Sequence, residues 1–331
     1  MKIIADSAVP FLRGVLEPYA EVRYLPGRQI APEAVRDADA LIVRTRTRCD
    51  ETLLAGSSVR LVATATIGFD HIDTAWCAAH GIRVATAAGC NARGVLQWVA
   101  AVLAHLARTQ GWVPSARTLG IVGVGHVGSL VKEYAEAWGF RVVCCDPPRE
   151  AREHLGFRPL EEVAAEADLI TFHTPLDAST RRMAGEALFA RMKPSAVVIN
   201  SSRGEVVEGD ALLHSGLACV LDVWEHEPQI DRALLARTLL ATPHIAGYSA
   251  QGKANATALA VRAVAGCFGL PLGTWYPPEV RPSEPRPVSW REMCGTIGGR
   301  FDIEAQSLAL KSDPASFESM RDDYRYREEY F

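Results

Sequence analysis

The chain has 331 residues, enough for about two domains and an appendage. Its composition, 48% hydrophobic and 22% charged, is that of an ordinary globular protein with an ample core. A net charge of -4 excludes the bulk basic field that draws a chain to nucleic acid or to a membrane surface. The sequence has no apolar signal region and no apolar run of ~18 residues. We therefore expect a cytoplasmic protein with no nucleic-acid partner and no membrane partner.

Seven short apolar runs, rich in Val, Ile and Leu, have the composition of parallel strands covered on both faces. They span residues 40–44, 60–66, 118–125, 141–146, 168–174, 196–200 and 218–224. The N-terminus also starts with a short strand, and helix-length segments such as 128–138 and 183–191 lie between the runs. This alternation predicts an α/β fold with two doubly wound parallel sheets, Rossmann-like or flavodoxin-like.

Two segments mark candidate domain boundaries. The helical pattern over 93–108 is apolar around most of its circumference, which is typical of a helix buried where one unit ends and the next begins. The segment 275–290 carries five prolines and reads as a connector. We expect one domain over 1–92 with 247–270, a second over 93–246, and a short α/β C-terminal element over 275–331.

Eight cysteines are scattered along the chain, and none forms a pair of C-x-x-C motifs at zinc spacing. Cys144 and Cys145 are adjacent within an apolar run, where they read as small core residues. We expect reduced thiols and no metal site.

The letters GIVGVGHVGSL place Gly123, Gly125 and Gly128 at G-x-G-x-x-G spacing after a strand and at the start of a helix. In that context the glycines permit a tight turn, a close approach to a pyrophosphate and helix–strand packing. The amides of His126 and Val127 then lie at a helix N-terminus, where phosphate is favoured. The alternative is a glycine-rich turn that binds no ligand.

Asp146 ends the next strand, 18 residues after Gly128. A carboxylate there can accept hydrogen bonds from the adenine ribose and repel the extra phosphate of NADP. No arginine stands directly beside it in the sequence, so NAD is favoured over NADP.

Three loops that follow strands carry candidate catalytic residues, namely Arg203, Glu227 and His244. Oxidation of a 2-hydroxy acid removes a hydride from carbon and a proton from the hydroxyl. A histidine, with a reference pKa near ~6.5, can exchange that proton, and a carboxylate can orient the imidazole. An arginine can bind the substrate carboxylate with two parallel hydrogen bonds. Taken singly, each charged side chain could equally be solvated surface.

The letters VRTRTR place Arg44, Arg46 and Arg48 at alternate positions. If this segment is extended, all three point to one side and form an anion-binding edge. Tyr248, four residues after His244, could donate its hydroxyl to the same phosphate. A solvated basic strand end is the alternative.

The order of the glycine-rich turn, NSSRG (200–204), DVWEHEP (222–228) and PHIAG (243–247) resembles the D-isomer-specific 2-hydroxyacid dehydrogenases over about residues 1–270. Segments such as ATATIGFDHID (63–73) are closer still to a branch of that family with a phosphorylated substrate. The resemblance implies that Arg203, Glu227 and His244 are catalytic. It implies NAD contacts at Asp146, Thr174, Asp222 and Gly247, and substrate contacts at Thr45, Thr66 and Tyr248.

The resemblance further implies a substrate-binding first domain, an NAD-binding second domain and a homodimer. The C-terminal dimerisation region looks shorter than is usual in the family, which leaves its interface open. Two alternatives remain at this point. One is a sister enzyme, such as a phosphoglycerate or glycerate dehydrogenase. The other is a non-catalytic NAD-sensing protein of the corepressor type, which would not need a proton acceptor.

Overall fold

The computed structural model describes every residue from Met1 to Phe331 and divides them into two compact units. The first unit consists of Met1–Asn91 and Ser249–Ser283, and the second of Ala92–Tyr248 and Glu284–Phe331. Each unit contains one parallel sheet, so the predicted α/β class with two parallel sheets is confirmed. No helix has both the length and the apolar character that a membrane crossing requires.

The first unit begins with five strands and three short helices. They are β1 (Lys2–Asp6), β2 (Glu21–Leu25), α1 (Pro32–Val35), β3 (Ala40–Val43), α2 (Glu51–Leu54), β4 (Leu61–Thr64), α3 (Thr74–Ala79) and β5 (Arg83–Thr86). The strands pair in parallel in the order β2-β1-β3-β4-β5, which is the flavodoxin-like order. β3 and β4 are buried along their whole length, because apolar residues occupy both faces of these central strands.

The second unit carries the larger sheet. Its elements are α4 (Ala92–Gln110), β6 (Thr118–Val122), α5 (His126–Trp138), β7 (Arg141–Cys145), α6 (Pro147–Glu153), α7 (Leu160–Glu166), β8 (Leu169–Phe172), α8 (Glu186–Phe189), β9 (Val197–Asn200), α9 (Gly209–Ser215), β10 (Ala218–Leu221), α10 (Arg232–Arg237) and β11 (Leu240–Ala241). The strand order is β11-β10-β9-β8-β6-β7. Because β6 lies between β7 and β8, the strand order reverses there, and ligands bind outside the carboxyl ends of strands at such a point.

The long helix predicted over 93–108 is α4, and it is buried along most of its length as expected. Trp98 on this helix is fully buried and donates its indole N–H to Thr242 Oγ1 at 2.9 Å. The helix therefore packs into the core of the second unit, beside the segment that follows β11.

The chain returns to the first unit through α11 (Ala250–Phe268). The helix buries small residues, among them Ala256, Ala260 and Val264, against the strand residues Ile3 and Ile42. Short side chains allow the helix to lie close to the sheet, and the alanine-rich sequence favours the helix itself.

The C-terminal region forms α12 (Trp290–Arg300), α13 (Ile303–Ser312) and α14 (Phe317–Asp322). The expectation of a mixed α/β element there is wrong, because the region forms helices and no strand of its own. Its apolar residues, such as Met293 and Phe317, are spaced for helix faces and are buried in the two cores of the second unit. Ser307 on α13 accepts the Ala241 N–H at 3.0 Å, so this helix covers the edge strand β11.

Candidate active site

The glycine-rich turn connects β6 to α5 at the point where the strand order reverses. Gly123 adopts φ +83°, a conformation that favours glycine, and a Cβ there would lie 2.8 Å from the backbone of His173. A Cβ on Gly128 would lie only 2.0 Å from the Gly123 carbonyl oxygen. Both glycines are therefore required by the packing of strand, turn and helix.

Gly125 differs, because no atom lies within 4 Å of the position a Cβ would take. It precedes α5, which has no side-chain cap, so the first amides of the helix, at His126 and Val127, can face a ligand. Thr174, just after β8, has a buried hydroxyl oxygen with no hydrogen-bond partner. An open glycine, an uncapped helix and an unpartnered hydroxyl at one switch point fit a dinucleotide.

Asp146 follows β7 and is largely buried. Its carboxylate accepts the Val124 N–H at 2.8 Å and the Arg149 N–H at 3.0 Å, so it holds the glycine-rich turn and caps α6. No arginine adjoins Asp146 in the sequence, but Arg149 lies close to it in the structure. The Arg149 guanidinium donates to the Val124 carbonyl at 2.7 Å, but its charge is paired with Glu153 through two donors.

Arg203 lies in the loop that follows β9. Asn200 fixes this loop by donating to the Arg203 carbonyl at 2.8 Å and by accepting the Ser202 N–H at 3.0 Å. The next residue must be glycine, because a Cβ on Gly204 would lie 2.0 Å from the backbone of Trp224. The Arg203 loop therefore packs directly on the loop that follows β10.

Asp222 shapes the His244 loop. Its side chain is 1% exposed and accepts the amide N–H groups of Ile245 and Ala246 at 2.8 and 2.9 Å and the Thr242 hydroxyl at 2.6 Å. The Asp222 carbonyl oxygen accepts the His244 N–H at 2.7 Å. These bonds hold His244 at φ +57°, which is uncommon for a residue with a side chain.

The His244 and Glu227 side chains form a close pair, with Nδ1 and Oε2 2.7 Å apart. The other carboxylate oxygen accepts the Trp224 N–H at 2.9 Å, which fixes the direction of the pair. Burial raises the pKa of Glu227, but the nearby charges of His244 and Arg321 and the hydrogen bonds outweigh burial, so the pKa lies below its usual value. Glu227 is therefore an ionised partner that can orient the imidazole and stabilise its protonated form.

A second histidine near the switch point has a different environment. Burial lowers the pKa of His173 to about 3, and its Nε2 lies 3.1 Å from the Thr171 hydroxyl. This imidazole stays neutral near pH 7 and has no carboxylate partner of the kind that His244 has. His244 is therefore the better candidate for proton exchange.

Gly247 and Tyr248 end the His244 loop, and both are half-buried. The Tyr248 N–H donates to the Ile245 carbonyl at 2.9 Å, which closes a turn. The Tyr248 ring contacts two tyrosines of the C-terminal region, Tyr324 and Tyr326. Tyr248 therefore connects the His244 loop to the C-terminal region.

Four predicted substrate residues lie in the first unit. Thr45 and Thr66 follow the adjacent strands β3 and β4, so they lie at the same sheet edge. Thr66 donates to the Gly68 carbonyl at 3.0 Å, while Thr45 is exposed. Arg44 donates to the Ala8 carbonyl at 3.1 Å, and Arg46 is exposed.

The extended arrangement of the three arginines is not found. The Thr47 N–H donates to the Arg44 carbonyl at 3.2 Å, so the chain turns at residues 44–47. The Thr47 side chain is buried and donates to the Gly27 carbonyl at 2.9 Å, which holds that turn. Arg48 is then paired with Asp50 at 2.7 Å, so it is not part of an alternating cationic edge.

Two arginines of the C-terminal region were not anticipated from the sequence. Arg321 Nη1 lies 3.7 Å from Glu227 Oε2, and the buried Arg327 donates to carbonyls of the His244 loop. They lie about 80 residues or more from the loops they contact, and no motif links them to those loops. The available signal was weak, a cluster of arginines and tyrosines in the letters RDDYRYREEYF.

Similarity to known proteins identifies the class of enzyme to which the chain belongs. Residues 91–246 match the family described as D-isomer specific 2-hydroxyacid dehydrogenase, NAD binding domain. A solved structure of 3-phosphoglycerate dehydrogenase from Entamoeba histolytica with bound NAD+ superposes with a TM-score of 0.70 at 26% identity, covering 82% of this chain and 97% of that one. The fold, the switch-point site and these matches define an NAD-dependent dehydrogenase, with NAD as its cofactor. They favour an enzyme over the NAD-sensing alternative.

Two relatives are similar over almost the whole chain. Erythronate-4-phosphate dehydrogenase of Bacteroides fragilis is 46% identical over 99% of this chain and 97% of its own length. The protein of the same name from Enterobacter sp. (strain 638) is 41% identical over 100% of this chain and 92% of its own. The chain belongs to the erythronate-4-phosphate dehydrogenase family. The similarity to these two relatives includes the C-terminal region, whereas the Entamoeba structure covers only 82% of this chain.

Proposed function

We propose that the chain oxidises 4-phospho-D-erythronate to (R)-3-hydroxy-2-oxo-4-phosphooxybutanoate, with NAD, in the biosynthesis of pyridoxal 5'-phosphate (vitamin B6). The names of the similar proteins support this substrate. The observation that carries the chemistry is the 2.7 Å contact between His244 Nδ1 and Glu227 Oε2. An imidazole held in this way can take a proton on its other nitrogen.

In this proposal the side chains of the chain divide the work. Glu227 orients the His244 imidazole and stabilises its charge as Nε2 takes the proton of the substrate hydroxyl. Arg203 binds the substrate carboxylate with two parallel hydrogen bonds and so fixes the carbon from which the hydride leaves. When bound, NAD supplies the nicotinamide ring that accepts this hydride.

The remaining predicted residues have proposed binding roles. NAD would be held by Gly123, Gly125, His126, Val127, Gly128, Asp146, Thr174, Asp222 and Gly247. The phosphorylated substrate would be held by Thr45, Thr66, Tyr248, Arg44 and Arg46. Asp222 would act mainly by shaping the His244 loop, since the protein itself engages both of its carboxylate oxygens.

We also keep the proposed domain roles. Residues 1–92 and 247–270 would bind the substrate, 93–246 would bind NAD, and 275–331 would serve homodimerisation. A cytoplasmic location suits the eight free cysteines, since reduced thiols are usual there.

A panel of hydroxy acids tests the substrate assignment. NADH absorbance is followed with 4-phospho-D-erythronate, D-erythronate, 3-phospho-D-glycerate and D-glycerate. We expect kcat/KM for 4-phospho-D-erythronate to exceed the values for D-erythronate and D-glycerate by about 100-fold or more, because a site built to bind a phosphate rejects a substrate that lacks it. We also expect it to exceed the value for 3-phospho-D-glycerate, whose chain is one carbon shorter. An equal or larger value for 3-phospho-D-glycerate would reassign the chain to phosphoglycerate oxidation, the activity named for the similar Entamoeba structure. Retained NAD binding with no NADH from any acid would overturn the catalytic proposal itself.

A further inference from the structure

The last fifteen residues form a segment that the proposed chemistry leaves unused, and we call residues 317–331 the C-terminal segment. It begins with α14, whose Phe317 is fully buried, and ends with Phe331, which is 1% exposed. The Phe331 ring packs against Tyr134 and Trp138 of α5. Because both ends are anchored in the core of the second unit, the path between them is fixed.

Arg327, in the middle of this path, is 6% exposed. Its guanidinium donates to the carbonyls of Ile245 and Tyr248 at 3.1 Å each, to that of Gly94 at 2.8 Å, and to that of Ala246. A buried cation is costly unless hydrogen bonds stabilise it. Here four carbonyl oxygens accept from the two terminal nitrogens, while the buried Nε has no hydrogen-bond partner. Three of these four carbonyls belong to the loop that carries His244. The guanidinium therefore links several residues of that loop through hydrogen bonds.

Arg321, on α14, acts on the other member of the pair. Its Nη1 lies 3.7 Å from Glu227 Oε2, the same oxygen that contacts His244 Nδ1. The side chains of Arg321 and Glu227 are only 23% and 18% exposed, so water screens this interaction less than it would on an open surface. The buried Nε of Arg321 has no hydrogen-bond partner, so burial of this side chain is not explained by its own hydrogen bonds.

A third contact involves the tyrosines of the segment. The ring centroids of Tyr324 and Tyr326 lie 6.0 and 6.2 Å from that of Tyr248, both edge to face. The segment thus touches Glu227, the backbone of the His244 loop and the side chain of Tyr248. These contacts converge on one loop and its acidic partner.

We propose that the C-terminal segment is the positioning element of the His244–Glu227 pair. Arg327 fixes the backbone of the His244 loop, and Arg321 keeps the Glu227 carboxylate charged and facing the imidazole. Neither arginine is a catalytic residue, since each acts through another group. The inference rests on the proposed function, because it assigns a role relative to the proton exchange at His244.

The charge of Arg321 predicts the direction in which its removal shifts the pH dependence of activity. The charged groups that act on Glu227 are His244 and Arg321, and His244 in turn faces the buried Asp222. Removal of the Arg321 cation makes this cluster more negative and raises the pKa values of the groups within it. A histidine that must be deprotonated to act as the base then becomes active at higher pH.

The first test compares Arg321→Gln with Arg321→Lys. For Arg321→Gln we expect kcat to fall about 10-fold and the acid limb of its pH profile to move up by about one unit, with the KM for NAD unchanged. Arg321→Lys, which keeps the cation, should return the acid limb of the pH profile to its position in the native protein. The matched control is Arg325→Gln, which makes the same charge change at an exposed position of the segment. A limb that stays in place in Arg321→Gln, or moves equally in Arg325→Gln, overturns the proposal.

The second test concerns Arg327. Arg327→Lys keeps the charge but cannot reach four carbonyls, and we expect kcat to fall about 10- to 100-fold while the Kd for NAD stays within about twofold. If Arg327→Lys does not fold, the comparison of Arg321→Gln with Arg321→Lys tests the proposal by itself. His244→Asn is measured alongside, so that the two proposals fail separately. If His244→Asn is active, the proposed function is wrong. If His244→Asn is inactive but the Arg321 and Arg327 variants have native kcat and pH profiles, only the positioning role is wrong.

Discussion

At the scale of single residues, the backbone of His244 has an uncommon conformation. Its φ of +57° lies in the left-handed region, which costs a residue with a side chain of order 1 kcal/mol. Asp222 offsets this cost with its hydrogen bonds to the loop, and the result is an imidazole directed at Glu227. A glycine would relax the backbone there but would remove the imidazole to which we assign the proton exchange.

Arg203 provides the first residue-scale prediction. Arg203→Lys keeps the charge but loses the paired donor geometry, so we expect the KM for the hydroxy acid to rise about 10-fold or more. The Kd for NAD, measured by fluorescence titration, should not change. Arg181→Lys, at an exposed position, is the control. If the Michaelis constant of Arg203→Lys equals that of the native protein, the carboxylate clamp must be sought elsewhere.

The sequence could indicate these residues because each lies a few positions after a strand of one sheet, at motif spacing. Glu227 and His244, for example, follow β10 and β11, whose carboxyl ends share an edge. Arg321 and Arg327 could not be found in this way, because their partners are set by the tertiary path of the C-terminal region. Arg149 was also missed, since only the turn of α6 brings its side chain back to Val124.

At the scale of elements, the glycines of the glycine-rich turn differ in their surroundings. Gly125→Ala adds a Cβ into open space at a φ of -78°, so we expect an unchanged melting temperature and a Kd for NAD raised about 10-fold, or ~1.4 kcal/mol. Gly128→Ala forces a Cβ against the Gly123 carbonyl and should lower the free energy of unfolding by about 1–3 kcal/mol.

Calorimetry and a cofactor titration on both glycine variants check this contrast. An equal loss of stability in the two variants would show that Gly125 is also a packing residue. Unaltered NAD affinity in Gly125→Ala would remove the turn from the cofactor site.

Element predictions from the sequence succeeded where apolar runs were long. All seven predicted runs contain strands, because central parallel strands are buried on both faces. The half-exposed strands β2 and β5 were not predicted, since their letters EVRYL and RVAT mix charged with apolar residues. The turn at residues 44–47 was also missed, because it depends on the distant contact between Thr47 and the Gly27 carbonyl.

At the scale of the whole molecule, the C-terminal region belongs to the second unit and not to a separate body. Its helices complete both cores of that unit, and its last residue is buried. The expected appendage is therefore part of the structure that carries His244 and Glu227. This outcome agrees with the similarity of the relatives, which extends over almost the full chain.

The role of His244 in proton exchange is tested by turnover of 4-phospho-D-erythronate by His244→Asn, with NAD binding measured in the same preparation. We expect a loss of kcat of about 100-fold or more, because the proton acceptor is gone, together with a native Kd for NAD. Native turnover by His244→Asn would contradict the claim that this imidazole takes the proton.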